Sequence, residues 1–202
     1  MKEKEPKRTN AKTAFLLLGM TYKALNQKQG RIFGPALSKG DWKMYIEKYW
    51  GNYIGGTDDS LTLLDYFADK QKNEISLREI FADLGLDKLN WDFRESPELG
   101  FKDRDGFEHN LYYAIDVVTD LAALMLECQV NGSVSLGELL DDENENTVRI
   151  TFTEEEKNAM NQALTDFVSD PTAYDLLEMV PEEAIREMAQ DCENLRRDLC
   201  GL

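Results

Sequence analysis

Histidine is nearly missing from this chain: of 202 residues only His109 carries an imidazole. A zinc site of the usual Cys/His kind would have to assemble from scattered single residues. His109 could act as a general base, but no matching nucleophile stands near it in sequence. Cysteine is scarce as well. Cys128, Cys192 and Cys200 are odd in number and show no CxxC spacing. Cys192 and Cys200 lie eight apart on an expected helix, about 12 Å at the helical rise and too far for a disulfide. A reducing compartment fits this usage, and the chain reads as cytoplasmic. Long apolar runs are missing too, and none reaches the ~18 residues of a membrane span. The apolar patch Phe15 to Leu18 is far shorter than the ~7–15 residues of a secretory signal. No GxSxG, P-loop or dinucleotide fingerprint occurs. These gaps imply no membrane partner and no cofactor.

Basic residues thin out after residue 56. Residues 1–56 carry 11 Lys and Arg against 4 Asp and Glu, a net of +7. Residues 57–202 carry 12 against 35, a net of −23, and the two sum to the chain's −16. An acidic body repels nucleic acid and attracts cationic partners. Lys39, Lys43 and Lys48, interleaved with Trp42, Tyr45, Tyr49, Trp50 and Tyr53, could stack a single strand. The acidic body opposes that reading, so core aromatics and solvated lysines are expected and nucleic acid is not.

What is present is a helix-forming chain with enough apolar residues, 42%, for a core. The organising stretch is 108–130, EHNLYYAIDVVTDLAALMLECQV. Asp116, Asp120 and Glu127, with Ala123 between them, fall at i, i+4, i+7 and i+11, one narrow stripe on a helix. Almost everything else on that helix is apolar, so other helices should wrap it. The stripe is expected to be a solvated seam, since carboxylates are seldom buried.

Around it the chain reads mainly as helices. Residues 1–10 are expected to be a disordered tail, and Lys12 to Gln27 a helix. Asp41 can cap a helix over DWKMYIEKYW. Asp58, Asp59 and Ser60 are cap candidates for LTLLDYFADK. Ser76-x-x-Glu79 and Thr153-x-x-Glu156 are capping-box patterns. Residues 87–106 read as a long loop or one short strand. Asn131-Gly132 turns the chain, and TVRITF (147–152) is the best strand. Pro181 suits the first position of the last helix, which has acids first and Arg196 and Arg197 last. The expected fold is mainly α: one compact multi-helix domain over 11–202 around helix 108–130, with at most one small strand pair. The stretch 141–147 is where it could divide.

Ile75-Ser-Leu-Arg-Glu79 echoes Val134-Ser-Leu-Gly-Glu138, and both resemble the second half of an EF-hand loop. The later copy places Glu127 first, Asn131 fifth, Gly132 sixth and Glu138 twelfth, without aspartates at its first positions. The earlier copy begins at Ala68 with Lys70 third. A helix–turn–helix with a capping signal accounts for both strings. Glu138-Leu-Leu-Asp141 resembles the ExxD half of the all-α nucleotide pyrophosphatase motif, but no ExxE precedes it at a suitable distance.

The function these features favour is a non-enzymatic, acidic protein-binding module. Its specific form would be an immunity or inhibitor protein neutralising a basic toxin or nuclease. The acids expected to face the partner are Asp141, Asp142, Glu143, Glu145, Glu154, Glu155, Asp166, Asp170 and Asp175. The alternatives are a metal-dependent hydrolase using the carboxylate stripe, or a phage or accessory protein mimicking nucleic-acid charge.

Overall fold

The computed structural model describes residues 44–140 and 146–202. The expected tail at 1–10, the helix at 12–27, the Asp41 cap and most of DDENEN lie outside the described residues.

The described chain opens with a short 3-10 turn, Tyr45–Lys48. Helix α1 follows, Asp58–Lys70. Its cap is Thr57, one residue before the expected candidates. The Thr57 hydroxyl accepts from Ser60 N at 3.1 Å, and the Ser60 hydroxyl accepts in return from Thr57 N at 3.2 Å. Strand β1 (Glu74–Ser76) runs into α2 (Leu77–Leu84). The Ser76 hydroxyl accepts from Glu79 N, as the pattern predicts. The Glu79 carboxylate does not return the bond; it pairs with Lys72 instead.

The stretch 108–130 is not one helix. Glu108–Leu111 is strand β3, paired antiparallel with β2 (Leu99–Lys102) so that Phe101 faces His109. Gly100 permits the approach: a Cβ there would stand 2.1 Å from the His109 carbonyl oxygen, at a φ of +148°. Helix α3 begins only at Ala114 and runs to Asn131, ending at Gly132 in the left-handed conformation. Every residue from Ala114 to Cys128 is buried.

Strand β4 (Val134–Ser135) leads into α4 (Leu136–Leu140). Strand β5 (Thr147–Thr151) then lies between β1, parallel, and β4, antiparallel. The two EF-hand-like strings therefore become the two edges of one sheet around β5. Val148 and Ile150 point inward while Thr147 and Arg149 face out, the alternation expected of TVRITF. The described residues hold five strands in two sheets, more than the single pair expected. Strands β1 and β4 have three and two residues, too few for any alternation to register.

Helix α5 (Glu154–Ser169) carries the complete Thr153/Glu156 capping box. Helix α6 (Glu182–Cys200) starts just after Pro181, which is its cap residue rather than its first position. Helices α5 and α6 pack together, and with α1, β5 and the 45–48 turn they enclose α3. Met160, Leu164 and Phe167 meet the apolar stripe Ile185, Met188, Cys192, Leu195 and Leu199.

Candidate functional site

The chain's carboxylates divide into an inner set and an outer set. The inner set begins with the α3 stripe. Asp116, Asp120 and Glu127 are not a solvated seam; they are 5%, 1% and 1% exposed. Backbone N–H groups from distant segments cover Asp120 and Glu127, and the Thr57 side chain meets Asp116. Glu127 Oε2 accepts from Ile46 N at 2.7 Å, and its Oε1 accepts from Asn131 Nδ2 at 2.7 Å. Asp120 Oδ1 accepts from Gly55 N at 2.6 Å. Gly55 must be a glycine here, because a Cβ would overlap the Trp50 indole at 2.0 Å. Asp120 Oδ2 is buried and accepts no hydrogen bond among the described residues. The Ser60 hydroxyl beside it is engaged with Thr57 at 2.9 Å.

Asp59 joins this set from α1. It accepts from Tyr112 N at 2.9 Å and Tyr113 N at 2.8 Å, and Ser96 Oγ accepts from Ala114 N at 2.7 Å. Together they satisfy the N–H groups at the start of α3, where the helix dipole favours an anion. Burial pushes the Asp59 carboxyl up. Burial also pushes Asp116 well above the usual carboxylate range, with Asp120 and Asp59 adding to it, and brings Asp120 up to about 7. Across from them the Cys192 thiol is driven well up by burial as well.

These carboxylates gather without forming a ligand set. Among the described residues no group of three or more His, Cys, Asp or Glu side chains could hold a metal ion. Glu127 and Asn131, the first and fifth EF-hand-like positions, are bonded to each other, and Glu127 also accepts from Ile46 N. We expect no calcium uptake at micromolar concentration; stoichiometric heat in a calorimetric titration would overturn this.

His109 stands on β3 rather than at a helix start. Its Nε2 lies 2.9 Å from Asp103 Oδ2, and its ring stacks on Phe101 at 4.8 Å between centroids. The basic aromatic segment also turns inward. The hydroxyls of Tyr45 and Tyr49 and the Lys48 ammonium all donate to Asp198 Oδ2, at 2.9, 2.6 and 2.6 Å. Burial alone would raise the Asp198 carboxyl; the bonds from Lys48, Tyr49 and Tyr45 outweigh it and hold it below its usual value. Tyr53 donates to Glu187 at 2.8 Å. These rings fasten the 45–53 segment to α6. Lys39, Trp42 and Lys43 lie outside the described residues.

The described members of the outer set lie on α5 and just after it. Glu154 and Glu155 are exposed in the first turn of α5. Asp170 is exposed at the end of that helix and accepts from the Thr172 hydroxyl at 3.1 Å. Asp166 is half-buried and accepts from Gln162 Nε2. Asp175 is half-buried; its Oδ2 accepts from Ser96 N at 2.7 Å, tying its own turn to the 92–98 loop. Asp141, Asp142, Glu143 and Glu145 lie outside the described residues.

The described residues thus define a mainly α protein in which inner carboxylates hold loops onto a central helix and outer carboxylates face solvent. A family model described as Immunity protein 68 matches residues 45–199, and the chain belongs to that family. No curated protein and no solved structure matches it. Among the described residues no helix is long and apolar enough to cross a membrane.

Proposed function

We propose that the chain is a non-enzymatic inhibitor that neutralises a basic protein toxin, in the cytoplasm, through its acidic surface. The observation that carries this reading is the family match over 45–199, which falls almost wholly on the segment of net −23. A charged inhibitor gains association rate because the opposed fields steer encounter. Three free cysteines suit a reducing compartment.

The test is association with the purified product of a neighbouring toxin gene, followed by stopped flow. The on-rate should fall as salt rises, since exposed charges are screened beyond about 8 Å at physiological ionic strength. Neutralising Asp141, Asp142, Glu143 and Glu145 together should lower the on-rate by about tenfold and change the off-rate less. Association insensitive to both salt and this variant would mean that the acidity serves only solubility.

A further inference from the structure

A cleft of about 440 Å³ opens between α2 and the start of α5. Its apolar wall is Phe81 and Trp91, whose rings lie 4.8 Å apart at 43°. Phe93, fully buried, braces Trp91 edge-on at 6.1 Å, so the half-exposed indole is fixed from behind. The backbone aims it. Asn90 and Trp91 both stand in the left-handed region, at φ of 49° and 65°, a conformation that a bulky residue seldom adopts.

The rim carries Asp87, Glu155 and Glu156 against Arg78, a net of −2. Glu156 is committed to the Thr153 N–H and hydroxyl, at 2.7 and 3.0 Å. The carboxylates of Asp87 and Glu155 have no hydrogen-bond or ion-pair partner among the described residues. The N-terminus of α5 adds roughly half a positive charge, which the three glutamates of its first turn exceed.

We propose that this cleft receives an arginine side chain of the toxin, its guanidinium lying on the Trp91 indole and bonding Asp87 and Glu155. The assignment rests on the functional reading above and locates it. An aromatic wall under unpaired carboxylates suits a planar cation: guanidinium stacks on the ring face while its N–H donors point outward in its own plane. Lysine offers a compact, strongly hydrated charge with less to stack. Tryptophan and arginine are also the residues that most often dominate binding at the centre of an interface.

The test has two arms on the full chain. In the first, ¹⁵N-indole signals are followed during titration with N-acetyl-arginine amide and with its neutral isostere N-acetyl-citrulline amide. The Trp91 signal, assigned by its loss in Trp91→Phe, should shift with arginine alone. The response should vanish in the double variant Asp87→Asn/Glu155→Gln. Equal shifts with both ligands, or none well into the millimolar range, overturn the inference. In the second arm the double variant and Trp91→Leu are titrated with the purified toxin. Each should raise Kd by about tenfold or more. The double variant changes only surface groups, so it guards against misfolding of Trp91→Leu. Unchanged affinity in both variants overturns the cleft assignment while the functional reading stands. A positive first arm with no toxin binding by the unaltered chain overturns the functional reading instead.

Discussion

Replacing Leu121 or Leu124 with alanine should lower the unfolding free energy by about 2–5 kcal/mol, the range for emptying a large aliphatic site in a packed core. Both side chains are 0% exposed on a helix whose every position from Ala114 to Cys128 is buried. The cost has two parts. The lost methyl and methylene groups give up their transfer energy, and the surrounding atoms lose contacts that a close-packed interior cannot restore by collapse. Helices α1, α5 and α6 hold α3 from separate sides, and each is anchored to others, so little relaxation is available. Urea titration at constant slope is the measurement. A shift below about half a kcal/mol would mean that α3 does not organise this core, since ordinary surface substitutions fall in that range.

How much of this was open to inspection in the sequence depends on whether the deciding partner was local. Thr153 and Glu156 are three apart and satisfy each other, so the start of α5 could be read directly. The alternation of TVRITF reports two faces of a strand, and Val148 and Ile150 are indeed the inward ones. Gly132 ends α3 because the left-handed cap needs no distant help. The errors lie where the partner is far away. EHNL reads as helix because it adjoins a helix; its pairing with β2 depends on the backbone contact that Gly100 allows. The stripe spacing of Asp116, Asp120 and Glu127 was correct, but spacing names a face and not what covers it. What covers it is backbone N–H at Gly55 and Ile46, 65 and 81 residues away. Peptide N–H groups leave no trace in composition, so a seam and a buried ladder of anchors look the same on a helical wheel. The same blindness applies to the candidate interface. Glu154 and Glu155 were legible as exposed helix-start acids, whereas Asp175 serves a loop that only the fold brings near. The left-handed Trp91 that aims the cleft wall has no sequence signature at all.

Asp120→Asn should be more stable than the parent, by a margin that widens from pH 5 to pH 8. Asp120 is 1% exposed, and its Oδ2 has no hydrogen-bond partner among the described residues. Burial holds its carboxyl up at about 7, against an unfolded value near 3.9. The folded state therefore binds more protons than the unfolded state between those two values, and stability falls as pH rises through that window. The contribution is fully present below about pH 4 and lost above about pH 7. Three units of difference correspond to on the order of 4 kcal/mol, an upper figure for a site where water can enter on ionisation. Burial outweighs the Ser60 hydroxyl and the Gly55 N–H, which favour the ionised form, and the charge of Asp59 adds to burial. Asp116 on the same helix and Asp59 on α1 are both raised, first by burial, and the Cys192 thiol on α6 is held neutral by the same cause. No cation among them offsets the charge. Asparagine keeps an oxygen for the Gly55 N–H and cannot ionise, so it removes the penalty while keeping the anchor. Alanine removes both, leaving a buried N–H without its acceptor, and should cost about 1–3 kcal/mol even at pH 5. Comparing parent and asparagine variant at each pH cancels the general repulsion among the chain's other charges, which also grows with pH. Urea midpoints at pH 5 and pH 8 for all three proteins decide the matter. A gap between parent and Asp120→Asn that is the same at both values would show that Asp120 does not titrate in this range.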